Sequence, residues 1–128
     1  MREIAISITI LFLAGAALAQ NAPPGRWWRS PRVVEALNLT GSEIQRLDKA
    51  YEQSKRRLIS LKSKVEKEQF ELSRMMENRN LDEAAVRAQN RKLDKARSEL
   101  ADAKFAFVMD VRKIIGAGRF QRLLDLKP

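Results

Sequence analysis

The chain has 128 residues, carries 25 Lys and Arg against 16 Asp and Glu for a net charge of +9, and contains neither His nor Cys. That length implies one domain. Without Cys there is no disulfide. Without His or Cys the chain lacks the best ligands for zinc, copper and nickel and the usual general base near neutral pH.

The first segment, MREIAISITILFLAGAALAQ, has a charged start at Arg2, an apolar run from Ile4 to Ala16, and Ala17-Leu18-Ala19 before Gln20. This is the layout of a secretory signal peptide, residues 1–19, with cleavage expected after Ala19. The apolar run is shorter than the roughly 20 residues that span a bilayer, so no stable membrane insertion is expected after cleavage. The mature chain of about 109 residues keeps the full +9, because Arg2 and Glu3 cancel.

Residues 20–26, with NAPPG, read as a flexible tether, and the helical domain is expected over 27–127. In RWWRSPRVVEALN, Ser30 suits an N-cap and Pro31 the first helical position, so a short helix is expected, stopping at Asn38. In ALNLTGSEIQRL, Thr40 and Glu43 have the spacing of a capping box, and Leu39 and Ile44 that of a hydrophobic staple. From Ser42 to Asn78 there is no Pro or Gly. Ile44, Tyr51, Leu58, Val65 and Leu72 recur every seven residues, with Leu47, Ser54, Leu61, Glu68 and Met75 three further on. That is an apolar seam with polar breaks at Ser54 and Glu68. A helix of this length runs roughly 54 Å.

Asn78-Arg79-Asn80 reads as a turn, with Asn80 capping the next helix and Glu83 in its first turn. From Leu81 to Ala117 the seven-residue pattern resumes at Val86, Leu93, Leu100, Phe107 and Ile114, with small Ala96 and Ala103 between. Gly116-Ala117-Gly118 is expected to break the helix before a short tail helix, RFQRLLDL. The expected fold is therefore all-α: a long antiparallel hairpin flanked by short N- and C-terminal helices. So thin a hairpin buries little by itself, and a homodimer is expected.

No phosphate loop, GxSxG or HExxH pattern is present, and Asp82–Glu83 suits a helix start. The chain is expected to be no enzyme and to use no cofactor. Met75, Met76 and Met109 read as packing residues rather than a metal site.

The densest basic stretches are Lys55-Arg56-Arg57, Arg87 with Arg91 and Lys92, and Arg26 with Arg29. Such charge draws acidic partners at long range. The alternative is a solvated helix face with pairs such as Glu52–Arg56. Nucleic acid is the usual partner of a basic chain, but export removes it from reach. Ile59 and Phe70, eleven residues apart, share a face off the seam, as do Phe105 and Met109, four apart. These residues either are buried in a dimer interface or under the short helices, or touch unfolded polypeptide. Trp27 and Trp28 carry the same ambiguity, with one expected to pack as a lid on the hairpin.

The stretch LNLTGSEIQRL resembles the first LTxxQ motif of the Spy/CpxP family of exported bacterial proteins: Leu39 and Thr40 match, and Glu43 stands in place of Gln. IIGAGRFQRLLDL, residues 114–126, aligns with the family's second motif, commonly ILTPEQ, with Ile115-Gly116-Ala117 in place of Leu-Thr-Pro. The resemblance covers residues 27–127. It implies a periplasmic, thin, cradle-shaped homodimer with a basic, partly apolar concave face. It also implies an ATP-independent chaperone for unfolded or acidic protein clients. Two alternatives come with the same family: a regulator docking on the periplasmic domain of a sensor kinase, and a heavy-metal resistance protein. On the chaperone reading, the client-binding face is assigned to Arg56, Arg57, Ile59, Phe70, Arg87, Arg91, Phe105 and Met109.

Overall fold

A computed structural model describes residues 25–126; the expected signal peptide, its expected cleavage site and most of the expected tether lie outside the described residues. Every regular element among them is helical. A 3-10 turn, Trp27–Arg29, leads into α1 (Pro31–Leu37), then α2 (Gly41–Glu77) and α3 (Glu83–Asp125). Two compact units form. Of the described residues, the terminal unit holds those up to Glu52 and those from Phe107 onward, and the hairpin unit holds Gln53–Ala106.

In the terminal unit, α1 starts with Pro31 at its first position and the Ser30 carbonyl accepting from the Val34 N–H at 2.9 Å. The Ser30 hydroxyl makes no capping bond, so only the backbone caps here. The helix stops at Asn38, whose left-handed conformation (φ 51) lets the Leu39 N–H close on the Val34 carbonyl at 3.0 Å; Asn tolerates this conformation better than most residues. The capping box at α2 forms in both directions. The Glu43 N–H donates to Thr40 Oγ1 at 3.1 Å and the Thr40 N–H to Glu43 Oε1 at 3.0 Å.

The core of this unit joins Trp27, Trp28, Val33, Leu37, Leu39 and Leu47 to Phe107, Val108, Val111, Ile115 and Leu123. Complete burial of a side chain such as Leu37 or Leu47 contributes about 1.5–3 kcal/mol. Both tryptophans are inside, not one. Their rings meet edge to face at 5.2 Å, and Trp28 meets Tyr51 at 5.4 Å, offsets that aromatic quadrupoles favour.

In the hairpin unit, Leu93, Ala96 and Ala103 are buried, while Leu58, Leu61, Val65 and Leu72 are half-buried. The polar break at Glu68 is matched by one on the other helix. Gln89 Nε2 donates to the Glu68 carbonyl at 3.0 Å and to its carboxylate at 2.7 Å. The break at Ser54 is not matched, and its Oγ is buried without a partner. Lys64–Glu99 at 3.1 Å and Arg97–Gln69 at 2.9 Å tie the two helices further.

One expected boundary is corrected. Asp82, not Asn80, caps α3: its carboxylate accepts from the Ala85 N–H at 3.2 Å and its carbonyl from Val86 at 3.0 Å. Asn80 instead donates its N–H to Asn78 Oδ1 at 3.2 Å, closing the turn. The break expected at Gly116-Ala117-Gly118 is present: Gly116 leaves helical geometry (φ 82, ψ 163), and a tail helix follows it to Asp125. A single residue in a conformation open to glycine makes the break.

Candidate functional site

Seven of the eight residues assigned to a client-binding face lie in the hairpin unit; Met109 is in the terminal unit and half-buried. Arg56, Arg57, Ile59, Phe70, Arg87, Arg91 and Phe105 are all exposed. Ile59 and Phe70 stand 63% and 61% exposed on α2, and Phe105 stands 46% exposed on α3. Within one chain, then, these apolar side chains are not core. Met76 (59%) and Leu81 (50%), beside the turn, extend the exposed apolar set. Neither was singled out from the sequence for this surface, since both sit where the seam pattern runs into the turn.

Among the described residues, Arg56, Arg57 and Arg91 form no ion pair, and neither do Lys62, Lys67 or Lys95. Arg87 is the exception, paired with Glu83 one turn earlier at 2.8 Å; so exposed a pair contributes little. The Glu52–Arg56 pair anticipated from spacing does not form, because Glu52 pairs with Arg26 at 3.3 Å. The hairpin unit thus combines uncompensated guanidinium and ammonium groups with isolated large apolar side chains.

The charges of the terminal unit are organised differently. Asp48 accepts from the Trp28 indole N–H at 2.7 Å, is clamped by Arg29, and has Arg26 at 3.3 Å. The hydrogen-bonded Arg29 guanidinium, helped by Trp28 and Arg26, holds the Asp48 carboxyl below the usual range. Arg26 also lies over the Tyr51 ring, 5.3 Å from its centre. These cations are engaged in fixing the 3-10 turn to α2.

The motif residues Leu39, Thr40 and Glu43 are likewise structural in this unit. Leu39 joins the core, and Glu43 does more than cap. Its two carboxylate oxygens take both terminal nitrogens of Arg119, one at 2.8 Å. Arg119 also donates through Nε to the Ile115 carbonyl at 2.8 Å and through Nη1 to the Asn38 carbonyl at 3.4 Å. The Arg119 hydrogen bond first, and the Thr40 N–H second, bring the Glu43 pKa down to about 2. Arg119 was missed from the sequence. The available signal was that Glu43 replaces a neutral Gln, which asks for a cation nearby.

The chemistry of the donor set does not fit a metal centre. The chain has no imidazole or thiolate, and no three carboxylates converge among the described residues. Met75 and Met76 are in the hairpin unit and Met109 is in the terminal unit. No helix among the described residues is long and apolar enough to cross a membrane.

A family model described as heavy-metal resistance matches residues 4–122. No curated protein matches the chain, and no solved structure matches it.

Proposed function

Because the chain belongs to the heavy-metal resistance family, to which Spy/CpxP-like LTxxQ proteins are related, we propose that it is an ATP-independent periplasmic chaperone. In this reading it protects stress-damaged protein rather than holding metal. The observation that carries this reading is the surface of the hairpin unit. Ile59, Phe70 and Phe105 stand exposed among cations such as Arg56, Arg57 and Arg91 that no carboxylate neutralises. Solvent-facing apolar side chains gain free energy when a partner covers them, and uncompensated charge raises the encounter rate with acidic partners. Separate apolar contacts, each about 1.5–3 kcal/mol if fully buried, hold a client weakly and leave it free to fold.

The test is light scattering of a chemically denatured acidic client diluted into buffer without ATP, with and without the protein. Suppressed aggregation at near-stoichiometric protein supports the reading. No effect at several-fold excess, with one saturable partner instead, favours docking on the acidic periplasmic domain of a sensor. Tight binding of zinc, nickel or copper in a calorimetric titration, far below millimolar, would return metal handling to first place.

A further inference from the structure

The chain contains no Cys, so its thioethers are the sulfur groups open to oxidation, and susceptibility follows exposure. The structure grades them sharply. Met109 is half-buried, next in the chain to the buried Val108. Met75 is half-buried at its position in the seam. Met76, its neighbour in the last turn of α2, is 59% exposed. Among the described residues it is the one exposed thioether. The indoles offer no competing target on the surface, since Trp27 and Trp28 are both buried. Met76 also belongs to the exposed apolar set of the hairpin unit, with Ile59, Phe70, Leu81 and Phe105. Of that set, only a thioether changes from apolar to polar by taking up one oxygen atom.

We propose that Met76 is a reversible oxidation site, whose conversion to the sulfoxide makes the exposed surface of the hairpin unit less apolar and weakens its hold on clients while the fold stays intact. The oxidant is a peroxide. A lone pair on Met76 Sδ attacks one peroxide oxygen, the S–O bond forms and the O–O bond breaks. Sulfur gives up two electrons, and the second oxygen takes them and leaves as water with both protons of hydrogen peroxide. Reversal belongs to the thiol-dependent sulfoxide reductases, which remove the oxygen as water while two thiols become a disulfide. Solvent already surrounds the Met76 side chain, so the new polar oxygen is hydrated where it forms. At Met75 the same oxygen would enter the seam, where burying a polar group costs stability. The two neighbouring thioethers therefore answer oxidation differently, one by a change of surface and the other by a change of packing. The effect on clients rests on the chaperone reading; the effect on surface polarity does not.

The test treats the protein with increasing hydrogen peroxide and locates the added oxygen by tandem mass spectrometry of tryptic fragments. Fragment 75–79 carries Met75 and Met76, and fragment 105–112 carries Met109. Met76 is expected to gain oxygen about fivefold faster than either of the others. Protein oxidised at Met76 alone keeps its helix content in far-ultraviolet dichroism and elutes earlier from a hydrophobic-interaction column. Met76→Gln elutes early without oxidant, and Met76→Leu keeps its position at the same peroxide dose. A sulfoxide reductase with dithiothreitol returns the oxidised protein to its original position. In aggregation suppression, the oxidised protein and Met76→Gln are expected to need about twofold more chain than the parent, because one apolar contact is lost. Oxygen appearing first at Met75 or Met109 overturns the proposal. So does unchanged elution once Met76 is oxidised, or equal protection by the oxidised protein of a client that the parent protects. A parent that suppresses no aggregation defeats the chaperone reading instead, and the elution measurement then decides by itself whether Met76 switches the polarity of the surface.

Discussion

Glu43 occupies three roles at once: second half of a capping box, ligand of Arg119, and the one departure from the expected LTxxQ pattern at its last position. Its depressed pKa has a stability consequence of definite sign. A carboxyl whose folded value is about 2, against an ordinary 4.5, stabilises the fold above the ordinary value and loses that contribution as pH falls through the folded one. The melting temperature of the parent chain should therefore exceed that of Glu43→Gln most at neutral pH, and the gap should close between about pH 5 and pH 2. A gap that stays constant with pH in circular-dichroism melts would show that the charge of Glu43 contributes nothing. At this scale the sequence was readable where a residue acts on its neighbours: Thr40, Glu43 and Asn38 behave as their local spacing says. Arg119 lies 76 positions from Glu43, and no local pattern announces a partner so far along the chain.

The two long helices carry the same lesson in their seam. The seven-residue repeat located the buried stripe, and it flagged Ser54 and Glu68 as the places where the stripe fails. What the repeat does not contain is which break is answered from the opposite helix. Gln89 answers Glu68, and nothing answers Ser54. Two substitutions separate these cases. Ser54→Ala removes a buried hydroxyl without a partner and adds a better helix former, so it should stabilise the chain by roughly 0.5–1 kcal/mol. Gln89→Ala leaves the Glu68 carbonyl and carboxylate without their donor and should cost about 1 kcal/mol. Urea unfolding monitored by far-ultraviolet dichroism reads both; opposite signs are expected, and a shared sign would mean that polar matching does not govern this seam. The start of α3 was less legible for a related reason. Asp82 and Asn80 are both acceptable caps, and the choice depends on which carboxylate or amide meets a free N–H. The break at 116–118 was legible, and Gly116 is the residue that makes it.

For the molecule as a whole, the hairpin unit concentrates exposed apolar groups and unpaired cations, while the terminal unit concentrates the aromatic core and most of the long-range hydrogen bonds. If the first is the client surface, Ile59→Ser with Phe70→Ser should weaken aggregation suppression several-fold at unchanged helix content, because both side chains are already solvent-facing. Raising the salt to 1 M, where the screening length falls to about 3 Å, should slow capture in the parent chain. A double variant that protects clients as well as the parent does would remove these residues from the surface. The burial of the aromatic cluster has one more consequence. The chain contains two Trp and one Tyr, and all three, Trp27, Trp28 and Tyr51, belong to the terminal unit, so the hairpin unit has no intrinsic fluorophore beyond Phe. Indole emission is thus a private reporter of the terminal unit, whereas helical ellipticity sums over both. Recorded on one sample during heating, the two signals should coincide if the units melt as one cooperative block. If ellipticity falls before the emission shifts to the red, the hairpin unit loosens while the terminal unit stays folded, and the protein carries its own spectroscopic label for telling the two events apart.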